Sequence, residues 1–203
     1  SLLIGVASTA LSTVIAIVYG AISGIAGEKV DTLLMRFTEI ILSIPNLLLI
    51  IFLQAIMGKA TIGSISIVIG LTSWFGIAKI IRTEVRQLRS SEYVIAAKCM
   101  GGSFWHLLWK HLAPNFVSSI MFMVVMNVRS AIVAESTLSF LGIGLPLDVI
   151  SWGSMLSLAE KALMSRAWWI VLIPGIFLVV VLMCITSLGH WLQMRVSHQE
   201  AKL

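Results

Sequence analysis

The 203-residue chain is 59% hydrophobic and 11% charged, against about 25% charged residues in an ordinary soluble domain. With a mean hydropathy of +1.02, that balance excludes a soluble globular protein and reads as an integral membrane protein. The formal net charge of +5 fits basic loops at one membrane face better than a nucleic-acid partner, and two distant cysteines, Cys99 and Cys184, without a CxxC spacing argue against a disulfide framework.

Five apolar runs follow in chain order: residues 2–24, 32–57, 62–81, 116–141 and 168–189. Each reaches the roughly 20 residues that a bilayer crossing needs. In the first, Gly20 and Gly24 at i, i+4 permit close helix packing. In the second, Arg36 and Glu39 stand three apart and read as an intrahelical pair near one end, where an arginine can snorkel, and Pro45 predicts a kink. The fourth holds Asn127, Arg129 and Glu135. Polar groups at that depth face a bundle interior or a water path, so they are candidates for lining a translocation path, with structural hydrogen bonding as the alternative. Arg129 and Glu135 are six apart, which sets them on different helix faces.

The stretch "SSEYVIAAKCMGGSFWHLLWKHLAPN", residues 90–115, is amphipathic rather than apolar. Ser90 and Ser91 can cap a first helix, with Glu92 in its first turn, where the dipole favours an anion. Gly101 and Gly102 break it. Ser103 can cap a second helix on which Trp105, Leu108, Trp109 and Leu112 form an apolar stripe, and Pro114 stops it. The segment is either an interfacial hairpin that connects two spans or a docking element for a partner. Arg86 and Arg89 flank it and read as solvated or lipid-facing, with pairing to a partner as the alternative. Farther on, residues 146–166 are too short and polar to span. Trp152, Met155, Leu156 and Leu163 form an approximate stripe there, with Asp148, Glu160 and Lys161 available to water. A helix lying across the mouth and packed by Trp152 is expected.

Placing the loop that starts at residue 82 in the cytoplasm puts Lys29, Arg82, Arg86, Arg89, Lys98, Lys110, Arg195 and Lys202 inside, and Lys59, Lys161 and Arg166 outside. That distribution is the positive-inside one. The C-terminus is then cytoplasmic, Trp168 and Trp169 anchor the outer interface and Trp191 the inner one. Ser1 falls outside, without a charged leader region, so at least one upstream helix is expected.

The spacing of Glu92, Ala96, Ala97, Gly101 and Pro114 resembles the EAA motif of ABC importer permeases. "KHLAPN" (residues 110–115) is similar to the ending typical of the dipeptide, oligopeptide and nickel branch, with His111 and Ala113 departing from the usual Ile and Leu. "VDTLLMRFTEIILSIPNLLL" (30–49), "AESTLSFLGIGL" (134–145) and "SWGSML" (151–156) resemble segments of that branch's C-type subunit, in order, over nearly the whole chain. His190 stands where the branch usually has Asp.

The resemblance implies one all-α polytopic transmembrane bundle of the MetI-like permease fold over residues 1–203, with a cytoplasmic coupling loop at 84–115 and an extracytoplasmic segment at 142–166. It implies the permease subunit of an ATP-driven importer in the bacterial cytoplasmic membrane, carrying di- or oligopeptides or a related solute such as nickel. A different solute and an ion-gradient-driven transporter are the alternatives. Glu92, Ala96, Ala97, Gly101 and Pro114 would couple to the ATPase. Trp152, Glu160 and Lys161 would dock an extracytoplasmic binding protein. The partners implied are a second homologous permease, two cytoplasmic ATPases that bind ATP and Mg, the binding protein and the bilayer. No HExxH, GxSxG or GxxxxGK[ST] motif occurs, so neither an enzyme nor a cofactor site is expected in this chain. The histidines and methionines lack ligand spacing, so no metal site is expected either.

Overall fold

The computed structural model describes residues 1–89, 113–158 and 167–200, with side chains described except at 88–89, 113–119 and 196–200. Eight helices form among the described residues: α1 (Leu2–Ile25), α2 (Glu28–Leu42), α3 (Asn46–Met57), α4 (Ile62–Thr72), α5 (Phe75–Arg89), α6 (Ala113–Phe140), α7 (Trp152–Ser157) and α8 (Trp169–Glu200). No strand occurs among them. In hydrocarbon every backbone polar group needs an internal partner, and a helix supplies one within the segment.

Residues Leu2–Ile25, Ile120–Phe140 and Trp169–Arg195 are each long and apolar enough to cross a bilayer alone. The pairs α2 with α3, and α4 with α5, pass the same test together across short breaks, which gives up to five spans. The two breaks correct the expectation of continuous second and third spans. At the first, Pro45 has no N–H and sits before α3 at its N-cap with φ −54° and ψ 125°, a non-helical conformation that α2 could not continue. Pro45 therefore separates two helices instead of kinking one. Pro114 lies in the first turn of α6, where a missing N–H is harmless, so it opens that helix.

Local chemistry sets several helix starts. Thr61 and Ser64 form a capping box at α4, with Ser64 N–H donating to Thr61 Oγ1 at 3.1 Å and Thr61 N–H to Ser64 Oγ at 2.9 Å. Ser151 and Ser154 repeat it at α7, at 2.8 and 2.9 Å. Each box satisfies two otherwise orphan donors. Glu28 and Asp31 lie in the first turn of α2, where the helix dipole favours negative charge.

The chain divides into two compact units. The first comprises Ser1–Ser12, Ile44–Ser73 and Val125–Gly189, and its core holds Ile4, Ile50, Ile65, Ile69, Leu138 and Leu145. There a Cβ on Gly5 would stand 2.8 Å from Ile132 of α6, a separation that only glycine permits. The second comprises Thr13–Ser43, Trp74–Val124 and His190–Leu203, with Ala16, Trp74, Phe75, Ala78, Ile81 and Val85 at its core. Gly20 and Gly24 face α5 as their spacing predicts. A Cβ on Gly20 would lie 2.6 Å from the Ala78 carbonyl oxygen, and one on Gly24 2.7 Å from Val85. Tyr19 donates to the Leu34 carbonyl at 2.6 Å and accepts from Thr38 at 3.1 Å, tying α1 to α2. The apolar stretch of α8 is mostly exposed or half-buried among the described residues, as befits a helix that is hydrophobic all round.

Candidate functional site

Buried charge is rare among the described residues, so its placement marks where function and fold compete. Asp31 is 3% exposed. Its carboxylate accepts Arg82 Nε on one oxygen and Arg82 Nη2 on the other. Arg86 Nη1 stands 3.1 Å from Oδ2, and the Ser23 hydroxyl donates to Oδ1 at 2.6 Å. One carboxylate thus joins α1, α2 and α5. The fork of Arg82 is the bidentate geometry that suits a guanidinium. Arg82 and Arg86 are four apart, so both reach the same acid from one helix face. This corrects the reading of Arg86 as a free flanking charge. Arg36 and Glu39 make the exposed i, i+3 pair that their spacing predicts, at 3.1 Å.

Glu135 is 0% exposed. Its Oε1 accepts from the Ser139 hydroxyl at 2.9 Å, while Oε2 has no hydrogen-bond partner among the described residues. Ser139 Oγ in turn accepts from the backbone N–H of Leu145 at 3.0 Å. Between them α6 ends in a Schellman motif: Ile143 N–H donates to Leu138 O at 3.1 Å and Gly142 N–H to Ser139 O at 3.0 Å. Gly142 has φ +77°, the left-handed conformation that this cap needs. A Cβ on Gly144 would lie 2.3 Å from Ser139 N, and one on Gly153 would lie 2.7 Å from Ser136 Cα. The segment "AESTLSFLGIGL" therefore folds the turn after α6, and the start of α7, closely onto α6. A cavity of about 640 Å³ opens beside this turn, lined by Lys59, Ser139, Gly142, Gly144, Pro146 and Leu158 among others.

The predicted path residues separate. The Asn127 amide donates to Ser12 Oγ at 2.8 Å, and at 3.4 Å to the Ser73 carbonyl. It joins α6 to α1 and to the end of α4. Glu135 is directed into the packed interior. Arg129 alone of the three is exposed, on the face of α6 that also exposes Val133 and Phe140. The six-residue spacing thus divides the two charges between different faces, one exposed and one buried, as expected. A lipid-exposed arginine at mid-span costs about 2.5–3.5 kcal/mol on insertion scales, which argues that this face meets water or protein.

Of the remaining expectations, Glu92, Ala96, Ala97, Gly101, Glu160 and Lys161 lie outside the described residues. Only residues 152–157 of the expected helix over 146–166 are described as helix. Its buried positions are Gly153 and Ser154, while Trp152 is half-buried and its backbone N–H donates to Ser1 Oγ at 3.2 Å. Close packing here rests on the absence of a side chain at Gly153. Trp168 and Trp169 are exposed, with ring centroids 5.9 Å apart. Trp191 is exposed beneath the Arg195 guanidinium at 5.2 Å. His190 stacks on Phe122 at 5.1 Å. No group of three or more His, Cys, Asp or Glu suited to a metal occurs among the described residues.

Sequence reasoning left Asp31 in a link without a role. The signal was present: an acid in a helix first turn, and two arginines at i, i+4 elsewhere. What was missing was their proximity, across 51 residues of chain.

Residues 16–198 match the family described as "Binding-protein-dependent transport system inner membrane component". The chain is 34% identical over 193 residues to the dipeptide transport system permease protein DppC of Bacillus subtilis, covering 95% of this chain and 60% of the relative. It is 36% identical over 189 residues to the oligopeptide transport system permease protein OppC of the same organism, covering 93% and 60%. To OppC of Haemophilus influenzae it is 37% identical, covering 95% and 61%. The chain thus spans about three-fifths of the length of these relatives. Its fold is similar to that of a chain of the MetNI methionine ABC transporter in inward-facing conformations, with a TM-score of 0.64, 15% identity and 93% of each chain covered.

Proposed function

Because the chain belongs to the family of binding-protein-dependent transport system inner membrane components, we propose that it is the permease subunit of an ATP-driven importer of dipeptides or oligopeptides. The observation that carries this reading is the family match over residues 16–198, which runs from the second half of α1 through the remaining spans and takes in the polar segment between α5 and α6. The relatives' printed functions favour peptides over nickel as the solute.

In this reading the chain supplies the route and other chains supply the energy and the solute. Glu92, Ala96, Ala97, Gly101 and Pro114 form the element that meets a cytoplasmic ATPase bearing ATP and Mg. The small alanines allow close approach and Gly101 sets the bend. Arg82 and Arg86, held by Asp31, fix α5 just before that segment. Load applied there would be transmitted to α1 and α2 through the same carboxylate. Trp152, Glu160 and Lys161 belong to the face on which an extracytoplasmic binding protein delivers solute, and a second permease completes the route. The C-terminus is cytoplasmic, following the distribution of Lys and Arg.

The test is uptake of a radiolabelled dipeptide into proteoliposomes holding the complete transporter and its binding protein. Uptake should require ATP and the ATPase subunits and should survive collapse of ion gradients. Uptake driven by an imposed ion gradient without ATP would overturn the reading in favour of a secondary transporter. In the same system Gly101→Leu should preserve ATP hydrolysis and abolish uptake.

A further inference from the structure

Arg129 stands nine residues from one end and eleven from the other of the apolar segment Ile120–Phe140, roughly 14 and 17 Å of helix. It is too deep for its stem to bring the guanidinium to either end. The side chain is exposed and forms no ion pair with a described residue. With Val179, Leu182, Met183, Thr186 and Ser187 of α8 it lines an open recess of about 390 Å³. That size suits a small solute. Thr186 already donates its hydroxyl hydrogen to the Leu182 carbonyl, at 2.7 Å. Its oxygen is left as an acceptor.

The recess therefore offers a permanent cation with a planar fork of N–H donors, a hydroxyl acceptor, and an apolar floor. A guanidinium is matched by a carboxylate, which takes two parallel hydrogen bonds from it. The acceptor on Thr186 is matched by an amide N–H. A carboxylate beside an amide N–H is the C-terminal end of a peptide. Glu135, the nearest acid along α6, is buried on a different face and holds Ser139.

We propose that Arg129, with Thr186, binds the terminal carboxylate and adjacent N–H of a peptide in transit. This rests on the import reading above and specifies the solute's recognised group.

The test uses the purified complete transporter in nanodiscs, with radiolabelled dialanine and dialanine amide as probes, and the parent, R129Q and R129K compared. The parent should bind the free carboxylate roughly 10- to 100-fold more tightly than the amide, the range of one charged hydrogen-bonded contact. R129Q should erase that preference, and R129K should retain part of it because it keeps the charge without the fork. Equal preference in the parent and R129Q, or no binding of dialanine by the parent, overturns the proposal. Loss of the partner permease from purified R129Q also overturns it, because the guanidinium then pairs with a protein carboxylate. Failure of the parent to import any dipeptide with ATP sinks the import reading instead, and the binding comparison still judges Arg129.

Discussion

Asp31 and Glu135 are both buried carboxyl groups on apolar helices, and they are provided for in opposite ways. Asp31 receives two guanidiniums and a hydroxyl from two other helices. Glu135 receives one hydroxyl from its own helix, four residues on, and keeps one oxygen unpartnered among the described residues. The difference separates two uses of a buried acid. Asp31 fastens helices to one another, so its contribution is tertiary. Glu135 orients Ser139, which fastens the turn after α6, so its contribution is to local chain direction.

The largest effect should come from Asp31→Ala. It leaves the half-buried Arg82 without its carboxylate and frees the exposed Arg86, and should cost about 3 kcal/mol, the low end for breaking a buried pair, read as a fall in the unfolding midpoint of the purified protein in detergent. Glu135→Gln keeps an acceptor for Ser139 and should stay within about 1 kcal/mol of the parent. Equal losses in the two variants would break the comparison.

The hydroxyls sharpen it at a smaller scale. Ser139→Ala removes the one partner seen on Glu135 and also frees the Leu145 N–H, and should cost about 1–3 kcal/mol. Ser23→Ala leaves Asp31 with both arginines and should cost about 1 kcal/mol or less. Limited proteolysis between residues 141 and 151 should accelerate in Ser139→Ala and not in Ser23→Ala. The smallest effect is expected at the exposed pair: Arg36→Ala should change stability by about 0.5 kcal/mol or less, and less still at high salt.

Much of this was legible in the residues. The long apolar helices followed from composition and run length, because a bilayer admits little else. The Gly20 and Gly24 contacts and the Arg36–Glu39 pair followed from periodicity, because residues three and four apart share a face. The different faces of Arg129 and Glu135 followed from the same rule. The breaks at Ser43–Pro45 and between Thr72 and Phe75 were less visible. A hydropathy window averages across a two- or three-residue interruption, and only the backbone geometry at Pro45 shows that the helix ends.

The amino-acid sequence by itself determined the solvent this chain folds in, its helical class and its kinship. Those depend on composition, on short-range spacing and on the order of motifs, all of which survive in one dimension. Only the tertiary structure decided which charges are spent on holding the protein together and which remain available. Arg82 and Arg86 read as loop cations until α2 brings Asp31 against them, and the partner of Asn127 is unknown until Ser12 takes its amide. Arg129 is left as the exposed guanidinium of a recess because no described acid is folded to its face. A side chain's partner is set by which helices meet, and that is a property of packing between residues far apart in the chain.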